Sequence, residues 1–276
     1  MSKYFMSIID GTGPGNDDDY DIALINSFCS QLKSKLGGKA HYQRGPKWHG
    51  VNTENYGLLA ANILEMKYKK DTNVRLFLAG YSRGGSSALI AAKRLQKKGI
   101  TVEGIILFDP VAKHVGEKVE KLPGNVRRSL IIARREDPKF VKKYEGKIND
   151  AGPNLGPAYI DNPIRPGWGK TFKNLTNFCS PDHRYHLILA SHGALGGSGW
   201  TDPGDAVFVE EDVSGQQEAA KYTNATLKDW DLKSASVEVL PGNACFPTTR
   251  QSTKKLKASQ KLKDVHSAYR INPKGL

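Results

Sequence analysis

Apolar residues fall along this chain in short unbroken runs separated by segments of helical period. Tyr4 to Ile9 is a short apolar stretch, interrupted only by Ser7, and it stops at Asp10-Gly11-Thr12-Gly13-Pro14-Gly15, which predicts a strand running into a tight loop. Asp17, Asp18 and Asp19 then offer an N-cap and an acidic first turn, and Ile22, Ile25, Phe28, Cys29 and Leu32 follow at helical spacing. A second strand is expected over Lys39 to Gln43, closed by Arg44-Gly45-Pro46, and a helix over Thr53 to Tyr68. Next come a strand over Val74 to Ala79, a helix over Ser86 to Lys98, and strands over Val102 to Phe108 and Ser129 to Ala133. A last short strand is expected over His186 to Ala190 and a helix over Gly215 to Leu232. Strands without polar alternation, separated by helices, predict an α/β protein with a mostly parallel central sheet buried on both faces.

Two stretches break this rhythm. Residues 151–170 hold eight Gly or Pro in twenty positions and read as a loop, which either covers a site or is a surface excursion. The segment from Lys254 to Lys274 carries seven basic residues against the single acid Asp264. The expected organisation is therefore one domain over 1–250 and a basic tail over 251–276. No apolar run approaches the ~20 residues of a membrane span. The polar turn at Asp10 to Asn16 leaves no room for the apolar region of a signal peptide, so a cytoplasmic protein is expected.

Composition narrows the classes further. In 276 residues, 38% hydrophobic content is enough for a large core and excludes wholesale disorder. The net charge of +13 favours anionic partners, a membrane surface among them, although a basic surface without a specific partner explains it equally. Cys29, Cys179 and Cys245 form no C-x-x-C pair, so neither zinc nor a disulfide framework is expected and reduced thiols are. The three aspartates lack the glycine and distal glutamate of a calcium loop, and His183 with His186 reads as two loop histidines, so no metal is expected.

The strand ending at Ala79 runs into Gly80-Tyr81-Ser82-Arg83-Gly84-Gly85 and then a helix, which is G-x-S-x-G in the context its chemistry requires. Such a turn lifts the Ser82 hydroxyl out of the sheet at a helix N-terminus, where the Arg83 N–H can help hold an oxyanion. A serine hydroxyl needs a base, and the base an orienting acid, following the serine in the order acid then histidine. His192, in the flexible Ser191-His192-Gly193-Ala194-Leu195-Gly196-Gly197, is the first candidate base and His183 the second. Asp109 and Asp137 both follow strands; Asp109 has the drier neighbours Phe108 and Pro110, whereas Asp137 sits among Arg134, Arg135 and Glu136. The second oxyanion donor is expected from Gly11 or Thr12 in the first loop. A nucleotide-phosphate reading of that loop fails, because neither G-x-x-x-x-G-K-[ST] nor a full G-x-G-x-x-G is present.

Taken together, these motifs resemble the alpha/beta-hydrolase domain of bacterial type VI secretion phospholipase effectors and their relatives. Asp10-Gly11-Thr12-Gly13 is similar to that family's D-G-T, and Gly80-Tyr81-Ser82-Arg83-Gly84-Gly85 to its G-[FH]-S-R-G-[AG]. Leu107-Phe108-Asp109-Pro110-Val111 resembles the strand ending that carries the catalytic Asp, and the segment from Ser191 to Gly197 the one that carries the catalytic His. Tyr42-Gln43-Arg44-Gly45-Pro46 is similar to the family's Y-x-x-G-[VP]. The resemblance covers about residues 4–200. It implies an α/β-hydrolase fold, Asp109 over Asp137, His192 over His183, no cofactor, and hydrolysis of carboxylic esters with lipid or phospholipid acyl esters favoured. It also implies export by a signal-independent secretion system, with a secretion-apparatus or immunity protein as partner; nucleic acid is not expected. The alternatives are a small-ester or thioester hydrolase, and a catalytically silent hydrolase fold that binds nucleic acid or protein.

Overall fold

The computed structural model describes residues 3–13, 20, 24–46, 52–111, 119, 122–134, 182–190, 192–198 and 209–239. Asp17 to Asp19, Asp137, the 151–170 loop and the 251–276 tail lie outside these residues. Six strands form one sheet: β1 (Tyr4–Ile9), β2 (Ala40–Gln43), β3 (Arg75–Tyr81), β4 (Gly104–Phe108), β5 (Ser129–Arg134) and β6 (His183–Ile188). Their order is β2-β1-β3-β4-β5-β6, and every pairing is parallel. The helices are α1 (Phe28–Leu36), α2 (Thr53–Lys70), α3 (Arg83–Lys97), α4 (His192–Leu195) and α5 (Val209–Asp229).

The unbroken apolar runs are explained by packing on both faces. Successive strand residues point to opposite sides. Phe5, Leu76, Leu78, Ile105 and Leu107 therefore meet Leu64 of α2 and Leu89 and Leu95 of α3 on one side. Met6, Ile8, Phe77, Ile106 and Phe108 meet Phe28 and Leu32 of α1 and Leu227 and Trp230 on the other. Each fully buried side chain of this size contributes about 1.5–3 kcal/mol. The central strands are thereby held rigidly, and with them the residues that directly follow β1, β3 and β4. This parallel six-strand sheet, flanked by helices and carrying a sharp strand-to-helix turn after β3, is the architecture the sequence predicts.

Most elements keep within two residues of their expected bounds, and four differ by more: the first helix, α3, β6, and α5, which runs Val209–Asp229 against the expected Gly215 to Leu232. The first helix is described from Phe28, capped by the Ser27 hydroxyl accepting from the Ser30 N–H at 2.9 Å. The chain bends just before this serine, so the periodic run that begins at Ile22 is not one helix. Helix α3 starts at Arg83, three residues earlier than expected, because the turn needs no linker. Strand β6 starts at His183, since its first four residues are half-buried polar and aromatic ones at the sheet edge. Among the described residues no helix is long and apolar enough to cross a membrane.

Candidate active site

Ser82 stands between β3 and α3 with φ 56° and ψ −128°, a conformation that L-residues adopt only under constraint. The constraint is visible. Its N–H donates to the Phe108 carbonyl at 3.0 Å, and its carbonyl accepts from the Val111 N–H at 2.9 Å. The turn is thus stitched to the segment that carries Asp109. Glycine is required on either side of it, because a Cβ at Gly80 would strike the Gly84 carbonyl and one at Gly84 the carbonyls of Ile9 and Asp10. A serine at an N-cap ordinarily accepts from the first helical turn. Ser82 makes no such bond, and its hydroxyl is committed elsewhere.

That commitment is to His192. Ser82 Oγ lies 2.9 Å from His192 Nε2, and His192 Nδ1 lies 2.6 Å from Asp109 Oδ2. All three residues are buried, with 4%, 2% and 5% of the surface of Ser82, His192 and Asp109 exposed. An ionised carboxylate only accepts, so the imidazole proton belongs on Nδ1 and the Ser82 hydroxyl donates to Nε2. Such an arrangement can take the hydroxyl proton and hold the resulting imidazolium against a carboxylate. Asp109 follows β4, also at positive φ (38°), with its N–H donating to the Ile132 carbonyl at 2.7 Å. His192 opens α4, just beyond β6.

Of the two histidines weighed, only His192 reaches Ser82. His183 is at the start of β6, at the other end of the sheet, and hydrogen-bonds Ser129 Oγ at 3.1 Å. It is paired in structure, not with the nucleophile candidate. The alternative acid Asp137 falls outside the described residues.

The first loop needs one correction. The Gly11 N–H, expected as an oxyanion donor, donates instead to Asp10 Oδ1 at 2.7 Å. Asp10 is fully buried and also accepts from Ser27 Oγ at 2.5 Å and Tyr42 Oη at 2.8 Å. Burial outweighs these bonds and pushes the Asp10 carboxyl up to about 6. Thr12, the other residue expected to donate from this loop, is gripped by its side chain: Arg83 Nη1 donates to its Oγ1 at 3.1 Å. Arg83 therefore joins the two sides of the site: its backbone opens α3, where N–H groups have no acceptor within the helix, and its guanidinium grips the facing loop. The loop is further closed by Tyr20, whose hydroxyl donates to the Gly11 carbonyl at 2.5 Å and accepts from the Gly45 N–H at 2.6 Å.

Asp10, Tyr20, Ser27, Tyr81 and the Arg83 side chain are the supporting residues that no motif chemistry identifies in advance. Asp10, Tyr42, Tyr81 and Arg83 do lie inside resembling motifs, the only signal that could have found them. Tyr81 occupies a variable position of G-x-S-x-G and Tyr20 a position without any motif. Cys29 is a buried free thiol beneath the same loop, and burial pushes it well above its ordinary pKa.

Neither a protein-family model nor a curated protein matches this chain. Solved structures give distant likenesses. A YdeN-like hydrolase from Pectobacterium atrosepticum is 13% identical over 84% of this chain and 93% of its own, with a TM-score of 0.39. The NocB thioesterase domain, solved as a covalent fluorophosphonate complex, is 14% identical over 79% and 93%, with a TM-score of 0.37. A cutinase-like protein from Cryptococcus sp. is 19% identical over 39% of this chain, with a TM-score of 0.27, and this chain spans 53% of its length. The activities in these names belong to those proteins.

Proposed function

We propose that this protein is a serine hydrolase of carboxylic esters, with Ser82 as nucleophile, His192 as general base and acid, and Asp109 as the orienting acid. Ser82 Oγ attacks the ester carbonyl while His192 Nε2 takes its proton. Asp109 remains ionised, keeps the Nδ1 proton in place and stabilises the imidazolium. The oxyanion is held by the N–H groups of Arg83 and Thr12. Collapse of the tetrahedral intermediate breaks the bond to the alcohol, which leaves with the proton from His192. Water, deprotonated by His192, then attacks the acyl-enzyme and releases the acid and the free serine. No cofactor enters any step.

The observation that carries this reading is the continuous hydrogen-bond path from Ser82 Oγ through the imidazole to Asp109, 2.9 Å and 2.6 Å, at a strained strand-to-helix turn. Lipid or phospholipid acyl esters are the favoured substrates, on the motif resemblance. The test is labelling by a fluorophosphonate probe, followed by turnover of p-nitrophenyl esters of increasing chain length and of phospholipid vesicles. An activated serine reacts with the probe and Ser82→Ala does not. A well-folded protein that ignores the probe and every ester would leave the binding-module alternative standing. Turnover of short esters without vesicle hydrolysis would move the substrate class to small esters.

A further inference from the structure

The C-terminal ends of the strands carry Ser82, Asp109 and His192; the N-terminal ends carry something else. There the starts of β1 and β3, the residue before β2, the end of α2 and the turn after α5 enclose a groove of about 1040 Å³. Five lysines line it, Lys3, Lys39, Lys67, Lys70 and Lys233, against Asp71 and Asp231, an excess of three positive charges. Both aspartates are taken: Lys3 Nζ lies 3.0 Å from Asp71 and Lys233 Nζ 3.5 Å from Asp231. Lys39, Lys67 and Lys70 have no carboxylate partner among the described residues.

Two of these three are held in place. The Lys39 ammonium sits 4.9 Å from the centroid of the Tyr4 ring and the Lys67 ammonium 4.2 Å from that of Phe5. A lysine head seated on an aromatic face gives up less side-chain freedom when it takes an anion. Tyr4, Phe5 and Val74 also give the groove an apolar wall. The lining cations are all lysines, whose compact ammonium groups bind phosphate as point charges. We propose that this groove binds a phosphorylated small molecule with an apolar body and two or more negative charges, separately from the hydrolytic site. A bilayer is the poorer occupant, because the groove is concave and a membrane lying against it would meet the end of the sheet opposite Ser82.

The experiment is calorimetric titration of the full chain at low salt with three probes: adenosine triphosphate, dodecyl phosphate below its micellar concentration, and inorganic tripolyphosphate. Saturable one-to-one binding is expected for at least one organic phosphate, tighter than for tripolyphosphate. It should weaken at least tenfold in Lys39→Gln/Lys67→Gln/Lys70→Gln, with the melting temperature unchanged. Lys70→Gln alone, which disturbs no ring contact, should weaken it about threefold. Preference for the nucleotide or for the alkyl phosphate identifies the source of the phosphate, and either supports the site. Absence of saturable binding, undiminished binding in the triple variant, or equal affinity for tripolyphosphate overturns the proposal.

Discussion

The Tyr81 ring lies against the His192 imidazole, centroids 4.9 Å apart and planes 33° from parallel, and its hydroxyl donates to the His192 carbonyl at 3.2 Å. Gly11 and Gly196 flank the same ring so closely that a Cβ at either would strike it. Tyr81, the residue before Ser82, therefore fixes the height and tilt of the His192 imidazole. Tyr81→Phe keeps the ring and loses the hydroxyl bond, worth about 1 kcal/mol, so kcat on a soluble ester should fall about fivefold with KM unchanged. Tyr81→Ala should cost about 3–5 kcal/mol of stability in a denaturant titration, as for other buried aromatics. An unaltered kcat in Tyr81→Phe would mean that His192 needs no support from this side.

Ser82→Ala and Ser82→Gly should both lower kcat by about 10⁶, the loss typical of a missing nucleophile. They should differ in stability. Alanine inherits the strain of φ 56°, about 1–3 kcal/mol, whereas glycine tolerates that conformation. Ser82→Gly should melt above Ser82→Ala; the opposite order would show that the turn is not strained.

Asp109→Asn should lower kcat by about 10⁴, because the amide favours the wrong imidazole tautomer. Asp137→Asn should cost little. Steady-state kinetics on the two variants decides between the acids, and the reverse ranking would transfer the role to Asp137.

Asp10 makes stability depend on pH in an unusual direction for an acid. Its folded pKa of about 6 exceeds the ordinary 3.8, so between these values the folded protein holds a proton that the unfolded chain has lost. The resulting stabilisation is fully present below about pH 4 and is lost as pH rises through about 6. The gap between the two pKa values is worth roughly 3 kcal/mol. Asp10→Asn removes this contribution while leaving an acceptor for the Gly11 N–H. Urea unfolding from about pH 4 to about pH 7 should therefore show a fall in the wild type that Asp10→Asn lacks, and parallel curves would refute it.

How much the sequence reveals depends on what each residue is doing. Strands β1, β3, β4 and β5 are legible because burial on two faces leaves their central positions almost wholly apolar, as in Ile105 to Phe108, with Ser7 the buried exception in β1. Strand β6 is not: His183, Arg184, Tyr185 and His186 are half-buried at the sheet edge, where hydrogen bonding to β5 sets the strand and hydrophobicity does not. That Ser82, Asp109 and His192 meet is legible because the proposed chemistry demands those residue types in that order, and their side chains lie within hydrogen-bond reach. Gly11 is misread because a glycine-rich loop states only that backbone comes close to something. The partner of its N–H is the carboxylate of the preceding residue, Asp10, whose burial depends on Ser27 and Tyr42 arriving from elsewhere in the chain.

The stitching of Ser82 to Phe108 and Val111 has a consequence for biosynthesis. Domains fold from the N-terminus as they leave the ribosome. The turn cannot take its strained form until residues 108–111 have emerged, and Asp109 is not anchored until Ile132 follows. His192 comes about sixty residues later, and its loop is fastened backwards through the Gly196 carbonyl to the Phe28 N–H at 2.8 Å. On a nascent chain, Ser82 and Asp109 therefore emerge together with their backbone anchors before His192 does. If the encoded activity is directed at lipids, the producing cell is spared from it for the greater part of translation by chain order alone.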